Sequence, residues 1–319
     1  MTPSISVVIA AYNAEETLAA ELDALGRQTF DGEWEVLVCD NGSADGTAAL
    51  AASYAETLPR LRVIDASAVR GPGAARNAGA RAAASPLLAF CDADDEVADD
   101  WLAVMHAALS QADFVTGRAR RLEFNARPGE ERYFSWGIYH VPFFPYLPAA
   151  GAGNMGVHRQ AFLDVGGFDE SMRTGEDLDL CWRLQLAGHT LVEEPAAVVT
   201  VSNREGLRAS IAQTYAYGVG DARLKHKYAQ VETAFRAAPR PSAPTAPDAE
   251  EEPAVRSRAA AVLTAAPKLL RKVIALRRPS DLTEVARRIS AQAGYRFGRI
   301  DRSAPQVTPP ETLPGTGAP

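Results

Sequence analysis

Short apolar runs and stretches of helical spacing alternate along the first hundred residues. Ile5 to Ala11 is almost wholly apolar and ends at Tyr12-Asn13; residues 14 to 26 then place Leu18, Leu22 and Leu25 on one helical face and stop at Gly26. Trp34 to Cys39 is a second such run, ending at Asp40-Asn41-Gly42-Ser43, and a helix is predicted from about Ala44. A short strand at Leu61 to Ile64, a turn at Arg70-Gly71-Pro72-Gly73 and an alanine-rich helix to Ala84 follow. The last strand of the series, starting at Leu87, runs through Cys91 straight into Asp92, Asp94 and Asp95. This rhythm predicts an α/β fold: a mostly parallel, Rossmann-like sheet flanked by helices. Ligands of such sheets bind beyond the carboxyl ends of the strands, which is where Tyr12, Asn13, Asp40, Asp92 and Asp94 fall.

The pattern changes in the middle of the chain. Residues 122 to 150 read as an irregular segment with Pro128, Pro142, Pro145 and Pro148. Its rings (Tyr133, Phe134, Trp136, Tyr139, Phe143, Phe144, Tyr146) either bury against the sheet or wall a sugar or lipid. Gly151 to Val157 leads into a helix from His158, and Gly166 to Glu170 is a turn. A strong helix is predicted over 175 to 188, then a strand at Ala197 to Val201 and a helix from about Gly206 to Phe235. These close a domain expected to span residues 1–235.

Composition divides the remainder. Residues 236–254 form a Pro/Ala-rich acidic linker. Between 255 and 302, twelve Lys or Arg residues meet three acidic ones, a local charge of +9 in a chain of net charge −7. With Leu269, Leu270, Val273 and Ile274 at helical spacing, 255–302 is expected to be a basic amphipathic helical extension appended to the α/β domain. It suits peripheral contact with anionic lipid, or equally a solvated helix or partner-binding tail. The Pro/Thr-rich tail 303–319 is expected to be disordered.

The acidic balance argues against a nucleic-acid partner. Cys39, Cys91 and Cys181 form no CxxC pair and read as small core residues in a reducing compartment. No apolar run reaches the ~20 residues needed to cross a bilayer, and the N-terminus carries no charged leader. The expected location is cytoplasmic, with possible peripheral attachment at the inner face of the plasma membrane.

Asp92 and Asp94 offer hard oxygen ligands suited to Mg²⁺ or Mn²⁺, which complete their shells with water and substrate phosphates. An Asp-x-Asp alone is weak, but it belongs to an ordered set. Val7-Val8-Ile9-Ala10-Ala11-Tyr12-Asn13, Cys39-Asp40-Asn41-Gly42-Ser43-Ala44-Asp45-Gly46-Thr47 and Arg76-Asn77-Ala78-Gly79 precede it; Gly167-Phe168-Asp169-Glu170 and Gly175-Glu176-Asp177-Leu178-Asp179-Leu180-Cys181-Trp182-Arg183 follow. Over about residues 4 to 220 the chain resembles glycosyltransferase family 2.

That resemblance implies a GT-A fold and inverting transfer from a nucleoside diphosphate sugar to a hydroxyl of a glycan or lipid-linked acceptor, in cell-envelope polysaccharide, glycolipid or glycan synthesis. It puts Ala11, Tyr12, Asn13 and Asp40 at the nucleoside and Arg76 at the diphosphate, with Asn77 and Gly79 letting their helix come close. Asp92 would face the ribose and cation, Asp94 the cation, and Asp177 would deprotonate the acceptor. Glu176, Asn154 and Trp182 fall on the acceptor and sugar side, although Trp182 also reads as core; Asp179 reads as an orienting or capping residue. One departure stands out: Thr200 lies where many members carry a metal-binding His, so the cation is expected to be weakly held or dispensable. The alternative function is a non-catalytic nucleotide-sugar or glycan-binding module of the same fold. A sugar nucleotidyltransferase or dinucleotide dehydrogenase would need a glycine-rich loop after the first strand, and Ala11-Tyr12-Asn13-Ala14-Glu15 is not one.

Overall fold

Parallel pairing aligns the polar ends of the early strands. In the computed structural model, which describes residues 2–122, 133–201, 207–238 and 279–315, β1 (Ile5–Ala11) lies between β2 (Trp34–Asp40) and β4 (Leu87–Asp92). The register sets Ala11 opposite Asp40 and Ala10 opposite Asp92, so three chain segments present their carboxyl ends at one edge. Continuous apolar runs are required here because both faces of these strands are covered. On one face α1 (Leu18–Gly26) and α4 (Trp101–Leu109) bury Leu18, Leu22, Trp101 and Met105. The other face carries α3 (Pro72–Ala82), α5 (Arg159–Asp164) and α6 (Glu176–Leu186). α2 (Thr47–Ser53) and β3 (Arg62–Asp65) complete the β1-β2-β3 half of the sheet.

Beyond β4 the sheet becomes mixed. Its order is β3-β2-β1-β4-β10-β6-β11-β5, with β10 (Asn154–His158) antiparallel to both β4 and β6 (Phe114–Leu122). β11 (Leu191–Val201) runs parallel to β6, with an irregularity between Glu193 and Val198. β5 (Asp95–Val97) follows β4 after only Ala93-Asp94, yet pairs with β11 at the far end of that order, so the sheet curls back on the carboxylate turn. The backbone N–H of Val97 donates to buried Glu21 of α1 at 3.0 Å, which anchors this return. β7 (Tyr133–Trp136) adds antiparallel to β6.

Two sequence expectations change. The segment read as irregular holds β7 and a two-stranded ribbon, β8 (Tyr139–Val141) and β9 (Phe144–Ala149), outside the main sheet. Pro145 and Pro148 are tolerated in β9 because it pairs on one side only. The predicted helix 206–235 is two helices, α7 (Leu207–Lys227) and α8 (Ala229–Ala237), which meet at buried Tyr228, whose hydroxyl donates to Asp179 Oδ1 at 2.9 Å. Part of the basic extension is a helix, α9 (Pro279–Phe297), packed along α7. Residues 239–278, including Leu269 to Ile274, lie outside the described residues, as do 202–206 and 316–319. Among the described residues no helix is long and apolar enough to cross a membrane.

Candidate active site

The ends of β1 and β4, the start of α6 and one face of α7 surround an open cleft of about 960 Å³. Asp92, Asp94, Glu176 and Asp177 all line it, although the two acidic pairs are more than eighty residues apart in the chain. A smaller pocket of about 510 Å³ shares Ala10, Tyr12, Pro72 and Arg173 with the cleft and adds Ala11, Asn41, Arg70, Gly71 and Ala75.

Local geometry shapes the smaller pocket. Asn13 takes a left-handed backbone (φ 48°), fixed by its N–H donating to Ser43 Oγ at 2.9 Å and its Oδ1 accepting from the N–H of Ala44 at 2.8 Å. The turn leaves the Tyr12 ring exposed, with the Arg70 guanidinium 5.1 Å from its centroid. Asn41 donates to the carbonyls of Ala66 (2.6 Å) and Val69 (2.8 Å) and accepts from the N–H of Gly71 (2.7 Å), so its amide holds the pocket's outer loop. Asp40 lines neither cavity; its Oδ1 accepts from the N–H of Ser43 at 3.2 Å, the turn arrangement expected of an Asp after a strand.

Arg76 is the pivot of the cleft floor. Its buried guanidinium donates to Asp92 Oδ1 at 2.5 Å and to Glu176 Oε1 at 3.4 Å, and sits 5.5 Å from the Phe168 ring centroid. Much of its charge is therefore matched within the protein. Asp177 next door is half-buried, with Oδ1 accepting from the N–H of Leu178 at 2.9 Å. Burial, then the neighbouring Glu176 carboxylate, pushes Asp177 up to about 7. A carboxylate whose proton affinity matches neutral pH is well suited to take a proton from an alcohol.

Several expected residues serve the scaffold. Asn154 is buried outside the cleft, its amide consumed by Trp101 Nε1–H (2.8 Å) and the carbonyls of Ala197 (2.8 Å) and Arg118 (3.1 Å). It cannot touch sugar without breaking that network; its neighbour Gly153 lines the cleft instead. Trp182 is fully buried, donates to the carbonyl of Leu147, and packs on Phe144 and Tyr228, so it belongs to the core. Gly79 lets α3 approach the sheet rather than a phosphate, since a Cβ there would lie 2.4 Å from Val8 and 2.6 Å from Cys39. Asn77 bonds Phe168 and Glu170, tying α3 to the turn before α6. Asp179 is held by Arg183, Lys227 and Tyr228 beneath α6.

The described structure adds Arg173, Gln213, Tyr217 and Asp221 to the lining, and Tyr139 is the ring of the aromatic segment that reaches the cleft among the described side chains. Arg173 stands where the two cavities join and has no hydrogen-bond or ion-pair partner among the described residues. The fourfold spacing of 213, 217 and 221 was the only sequence signal for the α7 residues, and nothing local distinguishes that face from a solvated one.

The donor set suits a hard divalent cation. Asp92 and Asp94 bring carboxylate oxygens to the cleft lining, and Asp92 Oδ2 lies beside Gly153, where a Cβ would come within 2.6 Å of it. Among the described residues no three His, Cys, Asp or Glu side chains converge as a metal cage. Thr200 lines neither cavity and its hydroxyl accepts from Arg120 Nε at 3.0 Å, so it adds no ligand. The residues fit an ion that takes much of its shell from phosphate and water.

Residues 6–158 match the model of glycosyl transferase family 2. The chain is 31% identical over 193 residues to the glycosyltransferase AglE of Haloferax volcanii, covering 59% of this chain and 64% of AglE. It is 33% identical over 199 residues to an uncharacterized glycosyltransferase of Mycobacterium bovis, covering 60% of this chain and 83% of that one. The structure of S. aureus TarS 1–349 in complex with UDP-GlcNAc superposes with a TM-score of 0.52 at 20% identity, over 68% of this chain and 66% of that one, a likeness of fold alone. Against several curated relatives the chain spans only a third to just under two thirds of their length.

Proposed function

This chain belongs to glycosyl transferase family 2, and from that premise we propose that it is an enzyme of GT-A fold that transfers a sugar, with inversion, from a nucleoside diphosphate to an acceptor hydroxyl in glycan synthesis. The observation that carries this reading is that Asp92-Asp94 and Glu176-Asp177 line one cleft. A donor needs its diphosphate anchored while its anomeric carbon stays open to the opposite side, and the two acidic pairs meet those needs from separate elements. The base and ribose suit the smaller pocket, between the Tyr12 turn and Gly71-Pro72. The diphosphate then crosses the junction at Arg173.

Asp177 takes the proton from the acceptor hydroxyl, whose oxygen bonds to the anomeric carbon as the bond from that carbon to the diphosphate oxygen breaks. The configuration inverts because attack and departure are on opposite sides. Burial favours the neutral form of Asp177, so the proton gained is retained readily. Arg76 holds Asp92 and Glu176 in place across the floor. Asp92 and Asp94 would hold Mg²⁺ or Mn²⁺, which when bound supplies charge neutralisation to the departing diphosphate. Buried, unpaired Cys39, Cys91 and Cys181 suit a cytoplasmic setting.

The test is a thermal-shift screen of UDP, GDP, TDP and CDP sugars with Mg²⁺ or Mn²⁺, followed by product analysis with the sugar that raises the melting temperature. Release of the nucleoside diphosphate with transfer of inverted configuration is expected. Binding without transfer to any alcohol or water would replace this reading with the non-catalytic module.

A further inference from the structure

One face of α7 carries a row of polar side chains along the cleft. Gln213, Tyr217 and Asp221 follow at four-residue steps on one face, and all three line the cleft. Gln213 Nε2 donates to the Tyr217 hydroxyl at 2.8 Å, and Tyr217 is about half exposed. Asp221 is half-buried and has no hydrogen-bond or ion-pair partner among the described residues. Facing them, Tyr139 of β8 is pushed above the usual phenol range by burial, then by the Asp177 carboxylate, with Cys181, Asp221 and Tyr217 adding to it. One ring thus stands in the electrostatic reach of both Asp177 and Asp221.

Other sides of α7 pack on neighbouring elements. A Cβ at Gly218 would lie 1.9 Å from the carbonyl oxygen of Ala291, and one at Gly294 2.0 Å from that of Tyr215, so α7 and α9 touch backbone to backbone. Ser290 Oγ adds a bond to the carbonyl of Ile211 at 2.8 Å. At its inner edge Gly220 packs on Thr174, whose hydroxyl donates to the carbonyl of Ala216 at 2.8 Å, two residues before α6 begins. The polar row is therefore held at a set distance from Asp177 by both neighbours.

An unpaired, half-buried carboxylate costs stability unless a ligand satisfies it. A carboxylate accepts from two adjacent hydroxyls, an amide bonds a third, and tyrosine faces pack on the C–H surface of a pyranose. An isoprenoid chain would want an apolar wall, which these residues are not. We propose that Tyr139, Gln213, Tyr217 and Asp221 form the subsite for the sugar ring of the acceptor, so that the attacking hydroxyl offered to Asp177 belongs to a glycoside. This rests on the transferase reading above and names its acceptor class.

The test uses the full chain with the sugar nucleotide chosen by thermal shift. Methyl glycosides of glucose, galactose, mannose and N-acetylglucosamine are compared with glycerol and farnesol as acceptors, and products are read by mass spectrometry. Transfer to at least one glycoside is expected, with Asp221→Asn and Tyr217→Ala each raising its KM about tenfold or more. Tyr217→Phe, which keeps the ring, should recover most of that loss. Calorimetric affinity for the nucleoside diphosphate should change by less than about twofold in all three variants, a split that general misfolding would not produce. Unchanged glycoside KM in both Asp221→Asn and Tyr217→Ala, or transfer to glycerol or farnesol with none to any glycoside, overturns the subsite. A wild-type chain that binds no sugar nucleotide defeats the transferase reading itself.

Discussion

Arg76 donates a 2.5 Å hydrogen bond to Asp92, so the cation expected to meet a diphosphate is joined to the carboxylate expected to share a metal. Glu176, a hundred residues further along, lies on its other side at 3.4 Å. Without the guanidinium, two carboxylates would face each other across a poorly solvated floor. Arg76→Met is expected to lower the unfolding free energy by roughly 3 kcal/mol, because it strips a buried charge network of its counter-charge. Urea denaturation measures this; a loss below about 1 kcal/mol would mean the floor does not depend on the pair.

As the proposed base, Asp177 should couple activity and stability to pH in opposite directions. Its folded value of about 7 stands above that of the unfolded chain, so ionising it costs the folded state as pH climbs from about 4 to 7. Asp177→Asn should therefore melt at a higher temperature than wild type at pH 8 and show little advantage at pH 4. The same variant should lose transfer by a factor of about 10² or more, and wild-type kcat/KM should rise with pH to a plateau above about 7. A flat pH profile between 5 and 8, or full activity in the variant, removes Asp177 from the role of base.

Arg173 is the free cation at the junction of the two cavities among the described residues. A charge-assisted contact to phosphate typically contributes about 1.5–3 kcal/mol, so Arg173→Ala should weaken nucleoside diphosphate binding by about tenfold or more. The nucleoside alone, which lacks the phosphates proposed to meet Arg173, should bind both proteins alike. Equal loss for the nucleoside and its diphosphate would show that the side chain shapes the pocket rather than meeting phosphate.

Beneath α6, Lys227 bridges Asp179 at 2.6 Å and Asp169 at 2.8 Å. Burial alone would raise Asp169, but hydrogen bonds from Lys227 and Ser171 and the Lys227 charge bring it down to about 2. A depressed carboxyl adds stability above its unfolded value near 4, and that stability disappears as pH falls toward 2. Lys227→Ala leaves fully buried Asp179 with Arg183 as its remaining cation, with an expected cost of roughly 1.5–3 kcal/mol at pH 7 for the lost charge-assisted bond. The cost should shrink as the pH is lowered below 4; a pH-independent cost would point to lost packing of the lysine stem.

The sheet half that reads directly from sequence is the half with continuous apolar runs. β1, β2 and β4 are each too apolar for any place but the inside of a covered sheet, and their polar ends were visible as residues. β5 and β10 were not read as strands. Three residues such as Asp95-Glu96-Val97 carry no periodicity, and β10 pairs antiparallel in the middle of the sheet only because the chain returns there from a remote ribbon. Asn154 and Trp182 illustrate the same limit in the site. Each has a side chain fit for sugar recognition, and each spends it on partners tens of residues away.

The sequence by itself determined the class of fold, the family, and which residue types stand after which strand, because burial of both sheet faces and tight turns act on neighbouring residues. Only the tertiary structure decided which charges are spent and which are free. Arg76 is neutralised from two elements at once, while Arg173 and Asp221 have no hydrogen-bond or ion-pair partner among the described residues. Charge pairing acts through a few ångströms of space and not along the chain, so only packing could assign it.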